Sequence, residues 1–215
     1  MLRVREYLEP GQRVSEALFG LIMVLTFTGS LSVAEAGRDD VRTMLIGALG
    51  CNIAWGIIDG ILYLMDCLAE QGRGIRALRR LQQATRTEDA HGAIASVLPP
   101  LVAETLGSAE YEPMRRKLVQ LPPPPSRPHL SGQDWLGALA VFLWVNAMTL
   151  PVALPFLFID QVRHAMRVSN GVALALLFVA GYAYGRQTEH HPWLTGLAMV
   201  LLGCVLVAIT IALGG

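Results

Sequence analysis

Charged residues are absent from five long stretches of this chain: residues 17–34, 43–58, 136–159, 168–185 and 192–215. A helix needs about 20 mostly apolar residues to cross about 30 Å of hydrocarbon. The pattern therefore predicts five membrane spans, at about 14–36, 41–66, 133–159, 168–187 and 192–213. A helix of a soluble domain keeps a polar face for water. Residues 136–159 and 194–213 have none. The predicted fold is all-α: an integral membrane bundle of five transmembrane helices with a helical insert between the second and third.

The insert, residues 67–131, follows a different pattern. Leu68, Ile75, Leu78 and Leu81 recur near helical spacing, so the second span is expected to continue as a helix beyond the membrane. Thr87, Glu88 and Asp89 form a helix start leading into His91–Val97. Pro99 and Pro100 break it, and residues 101–106 and 111–121 are two further short helices. Pro122 to Pro125, then Pro128, make a stiff extended linker. Ser131, with Asp134 three residues on, forms an N-terminal cap for the third span. Three parts follow: 1–66 with spans one and two, 67–131 as the insert and linker, and 132–215 with spans three to five.

Composition supports this division. Apolar residues are 53% of the 215, and charged residues only 16%, against roughly 25% in soluble domains. Mean hydropathy is +0.45. Lys plus Arg and Asp plus Glu are 17 each, so the net charge is zero, which argues against a nucleic-acid partner. The basic residues are unevenly placed. With the N-terminus in the cytoplasm, 13 of the 17 fall on the cytoplasmic side, nine of them in the insert. The positive-inside tendency thus selects a cytoplasmic N-terminus and an outer C-terminus. The first span is long, lacks a clear cleavage site, and is expected to remain as an anchor.

Ionisable residues inside membrane spans are costly and point to function. Glu16 lies in the first turn of span one, where a helix N-terminus favours a carboxylate. Asn52, Asp59 and Asp66 recur every seven residues along span two, which stacks them on one stripe. Gly56, Gly60 and Tyr63 lie on or beside it, and Asn146 of span three is a candidate neighbour. Such a stripe serves either a polar path or hydrogen bonding between helices. Gly56-xxx-Gly60 suits close helix contact within a bundle or a dimer. Pro151 and Pro155 either kink span three or mark its exit from the membrane.

Outside the spans, Glu70, Glu88, Asp89, Glu104, Glu110 and Glu112, with Met114 nearby, offer oxygen and thioether donors for a divalent transition metal. The same residues also suit a solvated helical face. His190 and His191 precede Pro192 in a turn, without a third ligand. Cys51, Cys67 and Cys204 form no paired motif. No nucleophile elbow, zinc-protease or phosphate-loop motif is present, so no enzyme is expected.

The order of two spans, a charged helical insert and three spans resembles the vacuolar iron transporter family. Leu45–Gly56, Gly/Ala-rich with Asn52 and Gly56, is similar to that family's second helix. Leu150–Phe156 is similar to its Pro-containing third helix, and residues 181–188 and 196–203 fit helices four and five. The resemblance implies a dimeric transporter in a bacterial-type inner membrane. Its substrate would be divalent metal, Fe2+ or Mn2+, exchanged for protons and carried as cargo rather than held as a cofactor. The family lines its path with an Asp in span one and a Met and a Glu in span two. Those positions here are Phe19, Gly60 and Leu64. The expected metal ligands are therefore Glu16, Asn52, Asp59, Asp66 and Asn146 in the spans, and Glu104, Glu110 and Glu112 in the insert.

Overall fold

The computed structural model describes residues 19–23 and 38–212. Residues 19–23 are helical, and eight further helices follow. They are α1 (Arg38–Gln83), α2 (Thr87–Ala95), α3 (Pro100–Thr105), α4 (Ser108–Val119), α5 (Gly132–Ala153), α6 (Pro155–Phe158), α7 (Val162–Gln187) and α8 (Pro192–Ala212). No strand occurs among the described residues. Helices α1, α5 and α7 are each long and apolar enough to cross a membrane. Helix α8 spans 21 residues and carries no charge.

The chain divides into two units: residues up to Ile61 with Leu136–Gly215, and Leu62–Trp135. In the first, α1 and α5 run antiparallel. Asn52 meets Asn146 and Thr149, Gly56 meets Phe142 and Asn146, and Gly60 meets Ala138. Small residues let the two backbones approach, which is how helices associate where lipid offers no hydrophobic drive. Helices α7 and α8 use the same device. A Cβ at Gly181 would lie 2.7 Å from Met199, and one at Gly196 would lie 2.8 Å from Phe178. Leu21, Val152, Ala173 and Leu177 form the apolar centre of the unit. Many large apolar side chains point outward, among them Ile46, Ile57, Leu143, Val179 and Leu201. That much exposed apolar surface suits a lipid environment rather than water.

The third predicted span stops earlier than expected. Helix α5 ends at Ala153 and α6 begins at Pro155. Prolines at 151 and 155 remove two amide donors, and Pro155 sits comfortably only at a new helix start. The break leaves the last carbonyls of α5 without intrahelical donors. The buried Ser169 hydroxyl donates to one of them, Val152 O, at 2.6 Å. The fourth helix starts at Val162, six residues before the expected 168. Arg163 and Arg167, assigned by sequence to the preceding connection, belong to its first turns. Arginine is a good helix former, so a charged stretch does not end a helix by itself.

Helix α7 ends at a turn where Glu189 takes φ 55°, the left-handed conformation common just after a helix. His190 and His191 lie in this turn. His190 Nδ1 sits 2.9 Å from Thr188 O, and His191 O accepts from the Thr195 amide and hydroxyl. Trp193, 69% exposed, follows in the first turn of α8. Its ring lies 5.5 Å from both Phe178 and Tyr182. Trp135, 59% exposed, holds the equivalent place in α5.

The predicted second span and its extension form one unbroken helix, α1, as the leucine spacing predicts. Leu81, Ala90, Ala93, Ile94 and Tyr111 make the core between α1, α2 and α4. The linker runs back along α1: Arg79 donates to Pro125 O at 3.2 Å, and the His129 amide donates to Gln71 Oε1 at 3.2 Å. The predicted cap is present. The Ser131 amide and hydroxyl donate to Asp134 Oδ2 at 2.7 and 2.8 Å, and the Asp134 amide donates to Ser131 Oγ at 3.2 Å. Such caps contribute about 1 kcal/mol.

Candidate functional site

The polar exceptions of α1 and α5 meet in the first unit. Asn52 is 1% exposed. Its Nδ2 donates to Asn146 Oδ1 at 3.1 Å and to Thr149 Oγ1 at 2.6 Å. Asn146 Nδ2 in turn donates to Phe142 O at 2.8 Å, and Thr149 Oγ1 donates to Asn146 O at 3.0 Å. The cluster fixes the register of the two helices. It leaves Asn52 Oδ1 buried with no hydrogen-bond partner among the described residues. That amide oxygen faces the chain near Gly20, whose added Cβ would lie 3.8 Å away. One turn along, Trp55 Nε1 is likewise buried without a partner among the described residues, and its ring lies 6.0 Å from Phe19.

Asp59 is two turns further along the same stripe and 5% exposed. Two helical turns separate it from Asn52 by about 10 Å, so the two do not grip one ion together. They form successive polar steps along one face. Asp66, the third member, is exposed in the second unit. Glu16 lies outside the described residues.

At two of the positions where the resemblance sets a Met and a Glu, the chain has Gly60 and Leu64. A Cβ at Gly60 would stand 3.2 Å from Ala138 O, so a longer side chain would force α5 away. Leu64 is buried. At the third position, Phe19 is exposed.

In the second unit the three expected carboxylates are dispersed, and two of them are engaged in local bonds. Glu104 is exposed on α3. Glu110 accepts the Gly107 amide at 2.8 Å and so caps α4. Glu112 takes two bonds of 2.8 Å from Arg115 and one of 3.0 Å from Arg116. The Arg115 and Arg116 guanidinium groups hold its carboxyl down at about 2, and Glu112 pushes Arg115 up. Among the described residues no three His, Cys, Asp or Glu side chains gather into a metal-binding group.

Two contacts carry no sequence signature. His91 stacks on Tyr111 at 5.4 Å, with its buried Nε2 3.6 Å from Glu112 Oε2, just beyond hydrogen-bonding reach. Cys51 Sγ lies 3.3 Å from Met23 Sδ. Thr149 carries only a faint one: it lies three residues after Asn146 on the same helical face.

Residues 81–215 match the sequence model of the VIT family. The chain belongs to this family. The match begins near the end of α1 and takes in the insert from Leu81 onward and every later helix. Over 212 residues the chain is also 24% identical to vacuolar iron transporter 2 of Oryza sativa subsp. japonica, an alignment covering 91% of this chain and 83% of the rice protein. Membership in the VIT family accords with the all-helical architecture and with the three helices able to cross a membrane.

Proposed function

We propose that this VIT-family chain transports divalent metal ions, iron or manganese, across a cell membrane in exchange for protons. The observation that carries the reading is Asp59: a carboxylate 5% exposed in a helix otherwise built for lipid. A buried acid is expensive unless it works. Hard oxygen donors suit Fe2+ and Mn2+, and protonation of the carboxylate would release the cation. Asn52 supplies the buried oxygen of the next step, with Asn146 orienting its amide. Glu16 and Asp66 are further oxygen donors in this proposal. Metal and proton are cargo here, and no resident cofactor or chemical step is involved.

In this reading five spans cross the membrane, the N-terminus and the 67–131 insert are cytoplasmic, and the C-terminus is outside. Two copies form a homodimer. Glu104, Glu110 and Glu112 would collect metal, Glu110 and Glu112 giving up their present bonds to do so.

The test is metal-driven flux in proteoliposomes. Asp59→Asn should cut Fe2+ or Mn2+ uptake at least tenfold and abolish the accompanying proton movement. Unchanged uptake would sink the role of Asp59. The hydrogen bonds among Asn52, Asn146 and Thr149 favour a second reading, a scaffold whose insert docks a cytosolic partner. On that reading the wild-type protein carries no metal.

A further inference from the structure

The segment of α1 in the second unit is strongly one-sided. Leu78 and Leu81 pack into the core with α2 and α4, and Ile75 and Leu78 face the linker, which fixes the rotation of the helix. Arg73, Arg76 and Arg80, at i, i+3 and i+7, share an exposed face turned away from Leu78. No carboxylate among the described residues pairs with any of them. Arg79 is exposed on the flank and donates to Pro125 O. The linker adds exposed Arg127, held between the bonds at Pro125 and His129 and therefore level with the same stretch of helix. Residues 67–83 and 121–130 together contain five arginines, no lysine and one carboxylate, Glu70. Elsewhere in the insert, Arg86 pairs with Glu88, and Arg115 and Arg116 share Glu112; Lys117 is exposed. The cluster of arginines without a carboxylate partner is thus confined to the stalk.

The stalk also begins in lipid-facing chemistry: Leu62 and Met65 are large, apolar and exposed. At 1.5 Å per residue, Arg73 lies about 12 Å along the helix from Met65, Arg76 about 17 Å and Arg80 about 23 Å. The headgroup layer is about 5–8 Å thick on each side, and charge is felt through about 8 Å more at physiological salt. Arg73 falls inside that zone. Arg76 and Arg127 reach it by their long stems, and Arg80 lies beyond it. Guanidinium forks match phosphodiester oxygens in pairs, and basic clusters just past a span draw anionic lipid.

We propose that the Arg73–Arg76 face of the stalk, with Arg127, binds the headgroups of anionic phospholipids. The proposal rests on α1 crossing the bilayer and not on metal transport.

The experiment uses the full chain in nanodiscs of phosphatidylcholine with increasing phosphatidylglycerol, with lipid retained on the purified protein counted by native mass spectrometry. Wild type should retain phosphatidylglycerol over phosphatidylcholine and lose it as NaCl rises. R73Q/R76Q should retain several-fold less. R80Q should change little, and the R86Q/R116Q control should match wild type at the same loss of charge. R73K/R76K, which keeps the charge and removes the fork, should fall between. Equal retention by R73Q/R76Q and wild type overturns the proposal. So does soluble polyglutamate binding that R80Q weakens as much as R73Q, with lipid retention unchanged, because that outcome assigns the face to an acidic protein partner.

Discussion

At position 56 a single methyl group separates contact from collision. A Cβ there would stand 2.7 Å from Asn146 Nδ2 and 3.0 Å from the Phe142 ring. Both neighbours belong to the seam that holds Asn52, so neither can yield without disturbing it. Gly56→Ala should destabilise the folded protein by about 1–3 kcal/mol, the usual range for overpacking, read as a lowered unfolding temperature in detergent. Gly50, on the same helix, has nothing within 4 Å of its added Cβ. Gly50→Ala should be neutral or stabilising by up to about 1 kcal/mol, because alanine is the better helix former. The polar side chains of this seam were legible in the sequence as exceptions: an Asn or Asp in a charge-free run stands out. Which partners they choose was less so. Asn146 could be named because it interrupts α5. Thr149 could pass for an ordinary residue of an apolar helix. His91 and Glu112 sit on different helices with no spacing rule to join them.

The amphipathic spacing and length of the runs made most helices readable in advance, and the proline and cap signals placed several ends. The differences arise where one residue type has two meanings. Pro155 could kink a span or start a new helix, and it starts one. Arg163 and Arg167 could fill a loop or a helical first turn, and they lie in the helix. Within α4 the Glu112 bonds run to i+3 and i+4, the spacing that steadies a single helix. A carboxyl held at about 2, below its ordinary 4.5, adds stability that is present above pH 4.5 and lost as the pH falls toward 2. Water screens so accessible a group, so the effect is modest. Thermal unfolding of wild type and Glu112→Gln should therefore differ most near pH 7, converge between about pH 4.5 and 2, and coincide below. A difference that grew on acidification would contradict the assignment.

For the whole molecule, the proposed topology makes the exposed Ser126 a cytoplasmic marker. With the three native cysteines replaced, Ser126→Cys should react with a membrane-impermeant maleimide only after the cells are opened. Labelling of intact cells would reverse the orientation. The exposed indole in the first turn of α5 bears on a different property. Tryptophan settles at the boundary between headgroup and acyl chain, so in the proposed topology Trp135 indexes α5 against that boundary. From Trp135 to Ala153 is about 27 Å of helix. That falls short of the 32–33 Å or so of a sterol-rich plasma membrane and matches the thinner bilayers near 27 Å. A thick bilayer must be pinched around this helix, at a cost that rises with every ångström of mismatch. Across a series of lipids of increasing acyl length, the unfolding temperature should peak where the hydrocarbon is about 27 Å thick and decline on either side. One tryptophan would thereby help decide which membranes of a cell can hold the protein at ease.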